Sequence, residues 1–406
     1  MRILFLSRWF PEPPNNGAKI RVFNLIKGLS EQHTVDLLTF YEADDSVKEA
    51  VELRKLCAGV ATVPYRAFQP GSLKATLGYL SPKPRSVVDT YQEDMARAVR
   101  KAVARRKYDL VIASQIDMAI YAAGVRGPKK VLEELEITKI LRKSEVSGSW
   151  LKRARGSFTW WKLANYISWL MKQYDGWTVV SEGERKAAIL AAPGSAGAPA
   201  LIPNGVDCAA FQPEPDEDVD ENALLFHGAI SYRPNFEAVE YFMREIFPLI
   251  RAERPQTRLY VTGKADAALQ KRLAGLEGVT FTGYLQDIRP VLAACAVSVV
   301  PLLTGGGTRL KILEALAAGK AVVSTMAGAE GLEVKDGRDL LIADRPADFA
   351  QATLRLLNDA DLRARLGRQG RTAVSARYDW RLINVKFNQY LEGIVTGQPQ
   401  SAEAAA

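Results

Sequence analysis

The sequence predicts an α/β protein of two doubly wound domains, each with a parallel sheet covered by helices. Short, continuous apolar runs alternate with amphipathic stretches of helical period along most of the chain, which is typical of parallel strands buried on both faces. This alternation breaks at residues 204–222, where Pro, Asp, Glu and Asn dominate. Such a break favours a linker, and 406 residues are too many for one ordinary core.

The apolar runs predict the strands in chain order. They are RILFLS, TVDLLTF, DLVIAS, KKVLEEL and GWTVVS in the first half, then ALLFHG, TRLYVTG, VTFTG, AVSVVPL, KAVVST and DLLIAD. Helical patterns such as AKIRVFNLIKGLSEQ lie between them. We therefore expect domains at 1–205 and 206–379, a final helix at about 380–396 and a frayed tail at 397–406.

The composition argues against several classes of protein. It is 48% hydrophobic and 25% charged, as in soluble globular proteins. No apolar run approaches the roughly 18 residues of a membrane span, and the start reads as a strand rather than a signal peptide. Three separated cysteines and two histidines favour a reducing compartment and no zinc site. We therefore expect a cytoplasmic protein without a metal.

Charge is distributed unevenly along the chain. Residues 1–205 hold 31 Lys and Arg against 20 Asp and Glu, whereas the remainder holds 23 against 26. The basic half predicts an anionic partner, either a phosphorylated ligand or an anionic membrane surface. Nucleic acid is not expected, because no nucleic-acid-binding module has its signature here.

The stretch SVVPLLTGGGTRLKILEALAAGKAVVST, residues 298–325, predicts a binding site for an anion. Its glycines follow a predicted strand, and Gly306 and Gly307 allow the backbone to approach a ligand closely. Thr308 can cap the next helix, whose N-terminus favours negative charge. The pattern is neither a Walker A loop nor a GxGxxG fingerprint.

Two cations and a carboxylate follow these glycines. Arg309 and Lys311 add positive charge at the helix N-terminus, and Glu314 shares a helix face with Lys311. Glu314 lies about 9 Å along the axis from the capping residue. The order predicts a nucleoside diphosphate, with its phosphates at the helix tip and its ribose on Glu314. A tight turn followed by a capped helix with a surface ion pair would have the same sequence pattern. This stretch alone therefore leaves both interpretations open.

Other motifs connect this stretch to a known family. In order they are LIPNGVDCAAFQP at 201–213, LLFHGAISYRPNFEAVEYF at 224–242, the segment 261–325, GAEGLEVKDGRDLLIAD at 328–344 and YDW at 378–380. Together they resemble the retaining GT-B glycosyltransferases of the "group 1" family, in a glycine-rich branch with GGGTRLKILEALA. The opening of the chain fits the same family, and the middle, about 65–175, matches weakly.

The resemblance implies two Rossmann-like domains facing across a cleft, with the last helix crossing back onto the first. The second domain would bind a nucleoside-diphosphate sugar as the donor, and the first a carbohydrate or lipid-linked acceptor. The sugar would be transferred with retention of configuration and without a metal or cofactor, since the departing phosphate helps to remove the acceptor proton. The implied role is in making a cell-surface polysaccharide or glycolipid.

The resemblance also assigns roles to individual residues. Arg309 and Lys311 match the cations that stabilise the leaving diphosphate, and Glu314 matches the glutamate that binds ribose. Gly17 matches the loop glycine that approaches the donor phosphate. Tyr284, in TGYLQD, lies in the segment beside the nucleobase.

Strand ends supply further candidates. Gly228 ends the run ALLFHG and is a candidate for donor binding, whereas His227 beside it favours a packing role over proximity to the donor. Asp117 follows DLVIAS and is a candidate catalytic residue, although a helix cap would explain it equally well. Glu134 and Glu136 also follow a strand, where solvated acids are favoured over ligands of acceptor hydroxyls. Asn235 predicts a helix cap.

One departure from the family pattern limits what can be expected. The common pattern has a second glutamate eight residues before Glu314, and Gly306 occupies that position here. The donor sugar therefore cannot be inferred. Two alternatives stay open: an epimerase or phosphorylase of the same fold, and a non-catalytic partner that binds a nucleotide sugar within a membrane complex.

Residues 141–173 form a basic, tryptophan-bearing segment. They hold seven Lys and Arg against one Glu, with four interleaved tryptophans. Helices of this composition bind anionic lipid at the membrane interface. A long helix that packs its tryptophans on the first sheet is the other interpretation, and different faces could do both. Membrane contact would place the protein at the inner face of the plasma membrane.

Overall fold

The computed structural model forms two compact units. The first comprises Met1–Pro203 and Ile383–Ala406, and the second Asn204–Leu382. The predicted boundaries are at 205 and 379. The structure describes residues 1–398, except 44, 46, 48–49, 135–136, 138–149, 193–197, 214–218, 266–274, 276 and 305–308. Of residues 150–155 it describes only the backbone.

The first unit contains a seven-stranded parallel sheet in the order β3-β2-β1-β4-β5-β6-β7. Most of its strand residues are buried, as the continuous apolar runs predict. The strands are β1 (Arg2–Ser7), β2 (Thr34–Tyr41), β3 (Gly59–Pro64), β4 (Leu110–Ser114), β5 (Lys129–Glu133), β6 (Gly176–Val179) and β7 (Ala200–Leu201).

Helices cover this first sheet. Leu4 and Leu6 of β1 share a core with the buried residues Leu163 and Ile167 of the long helix α7. The helices are α1 (Gly17–Ser30), α2 (Val51–Leu56), α3 (Leu73–Leu77), α4 (Arg85–Thr90), α5 (Glu93–Arg105), α6 (Ile116–Ala123), α7 (Trp150–Met171) and α8 (Glu182–Ala191).

The second unit contains a six-stranded parallel sheet in the order β10-β9-β8-β11-β12-β13. The strand β8 begins at Asp220, so the sheet includes the last residues of the predicted linker. The strands are β8 (Asp220–His227), β9 (Arg258–Thr262), β10 (Val279–Gly283), β11 (Cys295–Val300), β12 (Ala321–Ser324) and β13 (Leu341–Ile342).

The helices of the second unit follow its strands. A π-helical turn, Phe242–Ile246, joins two of them. They are α9 (Arg233–Tyr241), α10 (Phe247–Glu253), α11 (Arg289–Ala294), α12 (Leu310–Ala317), α13 (Met326–Ala329), α14 (Pro346–Asn358) and α15 (Ala360–Ser375).

The last helix, α16 (Trp380–Thr396), packs within the first unit from Ile383 onward. Asn388 donates from Nδ2 to the carbonyl of Gly28 at 3.3 Å. The hydroxyl of Tyr390 accepts from the backbone N–H of Trp177 at 2.7 Å. These bonds tie the helix to α1 and β6.

Strand order reverses once in each sheet, between β1 and β4 in the first unit and between β8 and β11 in the second. In open parallel sheets, ligands bind beyond the carboxyl ends of the strands at such a switch point. The prediction of two doubly wound domains is confirmed, and each unit has one edge where a ligand is expected.

Candidate functional site

The helix α12 directs its polar side chains to the switch point of the second unit. Ile312, Leu313 and Leu316 are fully buried in the core, which leaves Lys311 and Glu314 on its other face. The helix begins at Leu310, so Arg309 occupies the capping position predicted for Thr308 and makes no side-chain cap. The preceding strand ends at Val300 rather than at the predicted 304. Of the predicted site, Gly306, Gly307 and Thr308 lie outside the described residues.

Lys311 is held against the strand end of β8. Its Nζ donates to Oδ1 of Asn235 at 2.8 Å and lies 4.0 Å from the ring centroid of Phe226. Burial lowers the pKa of Lys311 to about 7, helped by the charge of Arg309 and opposed by that of Glu314. The ammonium group is therefore only partly charged near neutral pH, and an anionic ligand would restore its charge.

Asn235 orients this lysine instead of capping a helix. The helix α9 begins at Arg233 with Tyr232 at the capping position, so the predicted cap is wrong. The Asn235 side chain donates from Nδ2 to the carbonyl of Ala229 at 2.8 Å. That bond fixes the amide, so its oxygen faces Lys311.

Glu314 is paired with His227. Nε2 of the buried histidine lies 3.0 Å from Oε2 of Glu314. An ionised carboxylate only accepts hydrogen bonds, so a bond to such a carboxylate requires the proton on Nε2. The histidine therefore belongs to the candidate site, whereas the sequence favours a packing role. Its neighbour Gly228 is the only signal that would have pointed there.

Arg309 is buried and connects the start of α12 to α13. Its Nη2 donates to the carbonyl of Ala327 at 3.1 Å and lies 3.8 Å from Oε2 of Glu330. The predicted diphosphate-binding cation is thus engaged within its own unit. Its charge still acts on Lys311.

Three neighbouring strands of this sheet end in glycines with positive φ, Gly228, Gly263 and Gly283. A Cβ on Gly228 would lie 2.9 Å from Nζ of Lys311, and a Cβ on Gly263 would lie 2.2 Å from the carbonyl oxygen of Gly228. Side chains are therefore excluded at the first two positions. The backbone of these strand ends therefore packs more closely against its neighbours than a side chain would allow.

The remaining predicted site residues are Tyr284, Gly17 and Asp117. Tyr284 directly follows β10 and is exposed. Gly17 is the first residue of α1, which Asn16 caps by accepting from the backbone N–H of Lys19 at 3.0 Å. Asp117 lies in the first turn of α6, where Gln115 holds the capping position, so it is not the helix cap.

The switch point of the first unit gathers a different set of side chains. Burial raises the pKa of Asp117, and the nearby charge of Arg8 opposes that shift. Arg8 is buried, with its guanidinium 3.1 Å from the ring centroid of Tyr65 and Nη2 2.6 Å from Glu42. Its Nη1 is buried without a hydrogen-bond partner among the described residues.

Two strained residues adjoin this set. Gln115 and Glu134 have positive φ of 69° and 57°, the two such non-glycine residues in the described part of the chain. Gln115 donates from Nε2 to Oε2 of Glu134 at 2.8 Å. Strained backbone of this kind concentrates at functional sites, so this edge is a second candidate for ligand binding.

The described residues contain no cluster of metal ligands and no membrane-spanning helix. No three His, Cys, Asp or Glu side chains there are grouped as metal ligands would be. None of the helices described is both long and apolar enough to cross a bilayer.

The family described as Glycosyl transferases group 1 matches residues 221–359. This range contains β8, α12 and the His227–Glu314 pair. The matched part of the second unit is thus a group 1 glycosyltransferase domain, which confirms the predicted family and enzyme class for this domain; the glycine-rich branch stays a prediction.

Two relatives of the chain carry the names of mannosyltransferases. It is 28% identical over 202 residues to the phosphatidyl-myo-inositol mannosyltransferase of Mycolicibacterium smegmatis, covering 48% of this chain and 51% of that protein. It is 25% identical over 213 residues, 47% and 55% of the two chains, to a GDP-mannose-dependent monoacylated alpha-(1-6)-phosphatidylinositol monomannoside mannosyltransferase of Corynebacterium glutamicum. The chain thus spans about half the length of these relatives.

Solved structures match nearly the whole chain. Sucrose-phosphate synthase of Thermosynechococcus elongatus is 19% identical with a TM-score of 0.70, covering 98% of this chain and 100% of that one. Anabaena HepE, in complex with UDP and glucose, is 20% identical with a TM-score of 0.66, covering 97% and 100%. At this identity the likeness concerns the fold, and it confirms the predicted GT-B fold.

Proposed function

We propose that the chain is a retaining glycosyltransferase that moves a sugar from a nucleoside-diphosphate sugar to a hydroxyl group of an acceptor. The observation that carries the proposal is the cluster at the switch point of the second unit. There, Lys311 fixed by Asn235 and Glu314 fixed by His227 lie on one face of α12, within the matched glycosyltransferase domain.

The diphosphate would bind at the N-terminus of α12. Free backbone N–H groups and the Lys311 ammonium would meet the charge that grows on the leaving phosphate. Because Asn235 already holds Lys311 in place, little reorganisation is needed during the reaction. Loss of this cation is expected to cost roughly 2–4 kcal/mol in the transition state, the scale of a lost oxyanion donor.

The ribose would bind to Glu314. A carboxylate can accept several hydrogen bonds, so a ribose hydroxyl can share Glu314 with His227. With a front-side displacement, the departing phosphate would take the proton of the acceptor hydroxyl. The protein would then need no metal or cofactor.

The acceptor would bind at the carboxyl edge of the first sheet. Asp117 would accept a hydrogen bond from an acceptor hydroxyl, and Gly17 would allow a ligand to approach the N-terminus of α1. The buried Nη1 of Arg8 supports this assignment, because it offers an N–H donor beside Asp117.

The acceptor would be a carbohydrate or lipid-linked sugar at the cytoplasmic face of a membrane. The names of two relatives describe transfer to phosphatidylinositol lipids, which supports a role in making glycolipids or cell-surface polysaccharides. One face of α7 packs in the core, while Trp161 and Trp169 on its other face are exposed. Membrane contact through 141–173 is consistent with this; residues 141–149 lie outside the described part.

A calorimetric titration with UDP, GDP and ADP tests the donor site. One nucleotide should bind the intact protein, and Glu314→Ala and Lys311→Ala should each abolish measurable binding. Glu253→Ala is the matched control, since this residue ends α10 and bonds to Gln351 instead. If no nucleotide binds, or if both variants bind like the control, the proposed donor site is wrong.

A second assay separates transfer from mere binding. A glycosyltransferase slowly hydrolyses its donor without an acceptor, whereas a non-catalytic partner would bind the nucleotide sugar and leave it intact. Release of UDP or GDP from the matching nucleotide sugar, absent in Lys311→Ala, would support the enzyme. Tight binding without release would favour the non-catalytic alternative.

A further inference from the structure

Exposed apolar side chains are concentrated in one part of the first unit. Among the described residues, eight of the eighteen large hydrophobic side chains that are exposed lie on the segment 68–80 or on α7. A concentration of this kind marks an interaction surface, because soluble proteins usually scatter such residues singly. The sequence did not single out the segment 68–80.

Leucines dominate the surface of this segment. Leu73 and Leu77 are four residues apart on α3, so they share one helix face, and Leu80 follows in the next turn. They are 76%, 55% and 88% exposed. Phe68 and Tyr79 are exposed beside them.

The segment is held rigidly in this exposed conformation. Arg85 donates from Nε to the carbonyl of Ala75 and from Nη2 to that of Pro70, both at 2.8 Å. The buried carboxylate of Asp89 accepts from the backbone N–H of Gln69 at 2.7 Å and from the hydroxyl of Ser72. The leucines therefore point outward from a fixed frame and are not part of a frayed loop.

Lys162 connects the segment 68–80 to α7. The buried Nζ of Lys162 donates to the carbonyls of Gly78 and Tyr79 at 3.1 and 2.7 Å. On the same helix Phe158 and Trp161 are exposed and stacked at 5.9 Å. Leucines and aromatic residues thus belong to one surface, which we call the apolar platform (residues 68–80 with the exposed face of 158–169).

The charges around the apolar platform have one sign. Residues 66–85 and 150–172 together hold nine Lys and Arg and no Asp or Glu. A second copy of this chain would bring the same positive charges, so self-association is disfavoured. An anionic lipid leaflet complements both properties, since it takes leucines into its acyl region, tryptophans at its interface and cations at its headgroups.

We propose that the leucines of residues 73–80 insert into an anionic lipid leaflet, while Trp161 and Trp169 of α7 lie at the headgroup level. The inference rests on the proposed membrane contact and names a different element, α3 and the turn after it, as the part that inserts. It would keep the first unit at the surface where a lipid-linked acceptor is found.

A single label reports the insertion directly. Leu77→Cys would carry an environment-sensitive fluorophore, with Val385→Cys as the matched control; Val385 is 51% exposed on α16, which bonds to α1. The native cysteines are buried, and burial raises the pKa of Cys57 and Cys295 to about 12 and also raises that of Cys208. The label should therefore attach at the introduced site.

Vesicles of phosphatidylglycerol with phosphatidylcholine are the probe, and vesicles of phosphatidylcholine alone are the comparison. With the anionic vesicles, the label at 77 should shift to shorter wavelength and be quenched by nitroxides on the acyl chains, while the label at 385 should not change. The proposal is overturned if both labels stay in water, or if the label at 77 shifts without lipid as protein concentration rises, which would indicate a second copy.

Co-sedimentation with the same vesicles measures the contribution of the leucines. The Leu73→Gln, Leu77→Gln, Leu80→Gln triple variant should lower the partition coefficient at least about tenfold, whereas Val385→Gln should leave it unchanged. These residues are exposed, so the unfolding midpoint should not move. Equal partitioning of the triple variant would overturn the proposal.

The nucleotide titration separates this inference from the proposed function. If nucleotide binds but the label does not insert, the proposed donor site is supported and the insertion of the apolar platform is refuted. If the label inserts but no nucleotide binds, the insertion of the apolar platform is supported and the proposed donor site is refuted.

Discussion

Both units carry polar side chains at the switch point of their sheet, but the backbone and the packing of these side chains differ. In the second unit, three strand ends are glycines and the polar groups are a few paired side chains around Lys311 and Glu314. In the first unit, the strand ends carry side chains, and the positive φ angles fall on Gln115 and Glu134. The edge of the second sheet is thus built from glycine backbone, whereas that of the first is filled by a network of charged side chains.

That network centres on a fully buried arginine. Arg21 lies 2.6 Å from Oε1 of Glu133 through Nε, and its Nη2 donates to the carbonyl of Ile202 at 2.9 Å. Ser114 donates to the other oxygen of Glu133 at 2.7 Å. The difference between the units therefore predicts that charges at the first edge serve stability first, and that those at the second serve binding first.

Breaking the first network should give the largest effect. Arg21→Met would leave Glu133 buried without its charged partner, which should lower the free energy of unfolding by about 3–5 kcal/mol. Urea unfolding followed by tryptophan fluorescence measures it, because six of the seven tryptophans lie in the first unit.

An exposed ion pair provides the control for this change. Arg97 pairs with Asp94 on α5 with both side chains well exposed, so Arg97→Met should change the free energy of unfolding by less than about 1 kcal/mol. Adding Glu133→Gln to Arg21→Met should recover part of the loss. Equal effects of Arg21→Met and Arg97→Met would mean that the buried network contributes no more to stability than an exposed ion pair.

Lys311 should differ from Arg21, because its buried charge lowers the stability of the protein while it serves ligand binding. Its pKa falls from 10.5 to about 7 on folding, so the folded protein binds fewer protons than the unfolded chain between these values. The penalty of the buried charge is therefore complete below pH 7 and is lost as the pH rises to 10.5. Lys311→Met should raise the free energy of unfolding more at pH 6 than at pH 10.

The same shift predicts how nucleotide binding depends on pH. A diphosphate binds the protonated amine, so affinity should fall by up to about tenfold per pH unit above pH 7, with proton uptake on binding. Calorimetry at pH 8 in two buffers of different ionisation enthalpy measures that uptake. Lys311→Arg, which stays charged, should show neither effect; a pH-independent affinity in the intact protein would contradict the assignment.

A substitution at Gly228 tests whether a glycine is needed at this strand end of the second unit. Gly228→Ala would strain a φ of 133° and bring the new Cβ within 2.9 Å of Nζ of Lys311. We expect about 1–3 kcal/mol of lost stability together with weaker nucleotide binding. Gly337→Ala is the control, since its φ is also positive but its Cβ would meet nothing within 4 Å. Matching losses of nucleotide affinity would mean that the contact with Lys311 is irrelevant.

The contrast between the units also explains what the sequence could and could not predict. Most of the strands and the order Arg309, Lys311, Glu314 depend on nearby residues, so period and spacing are enough to predict them. The strands β3 and β7 were not predicted. The partners that fix these side chains lie far away in sequence: His227 is 87 residues from Glu314, and Asn235 is 76 from Lys311. Only the strand order brings them together.

The smallest predicted effect concerns one of these distant partners, and it separates positioning from charge. His227→Ala would remove the hydrogen bond that orients Glu314, which should weaken UDP or GDP binding by about 1 kcal/mol. Because Glu314 is assigned to the ribose, inorganic pyrophosphate should bind the variant and the intact protein equally. Calorimetric titration with both ligands measures the difference. If pyrophosphate lost as much affinity as the nucleotide, His227 would act on the phosphates, and the ribose assignment of Glu314 would be wrong.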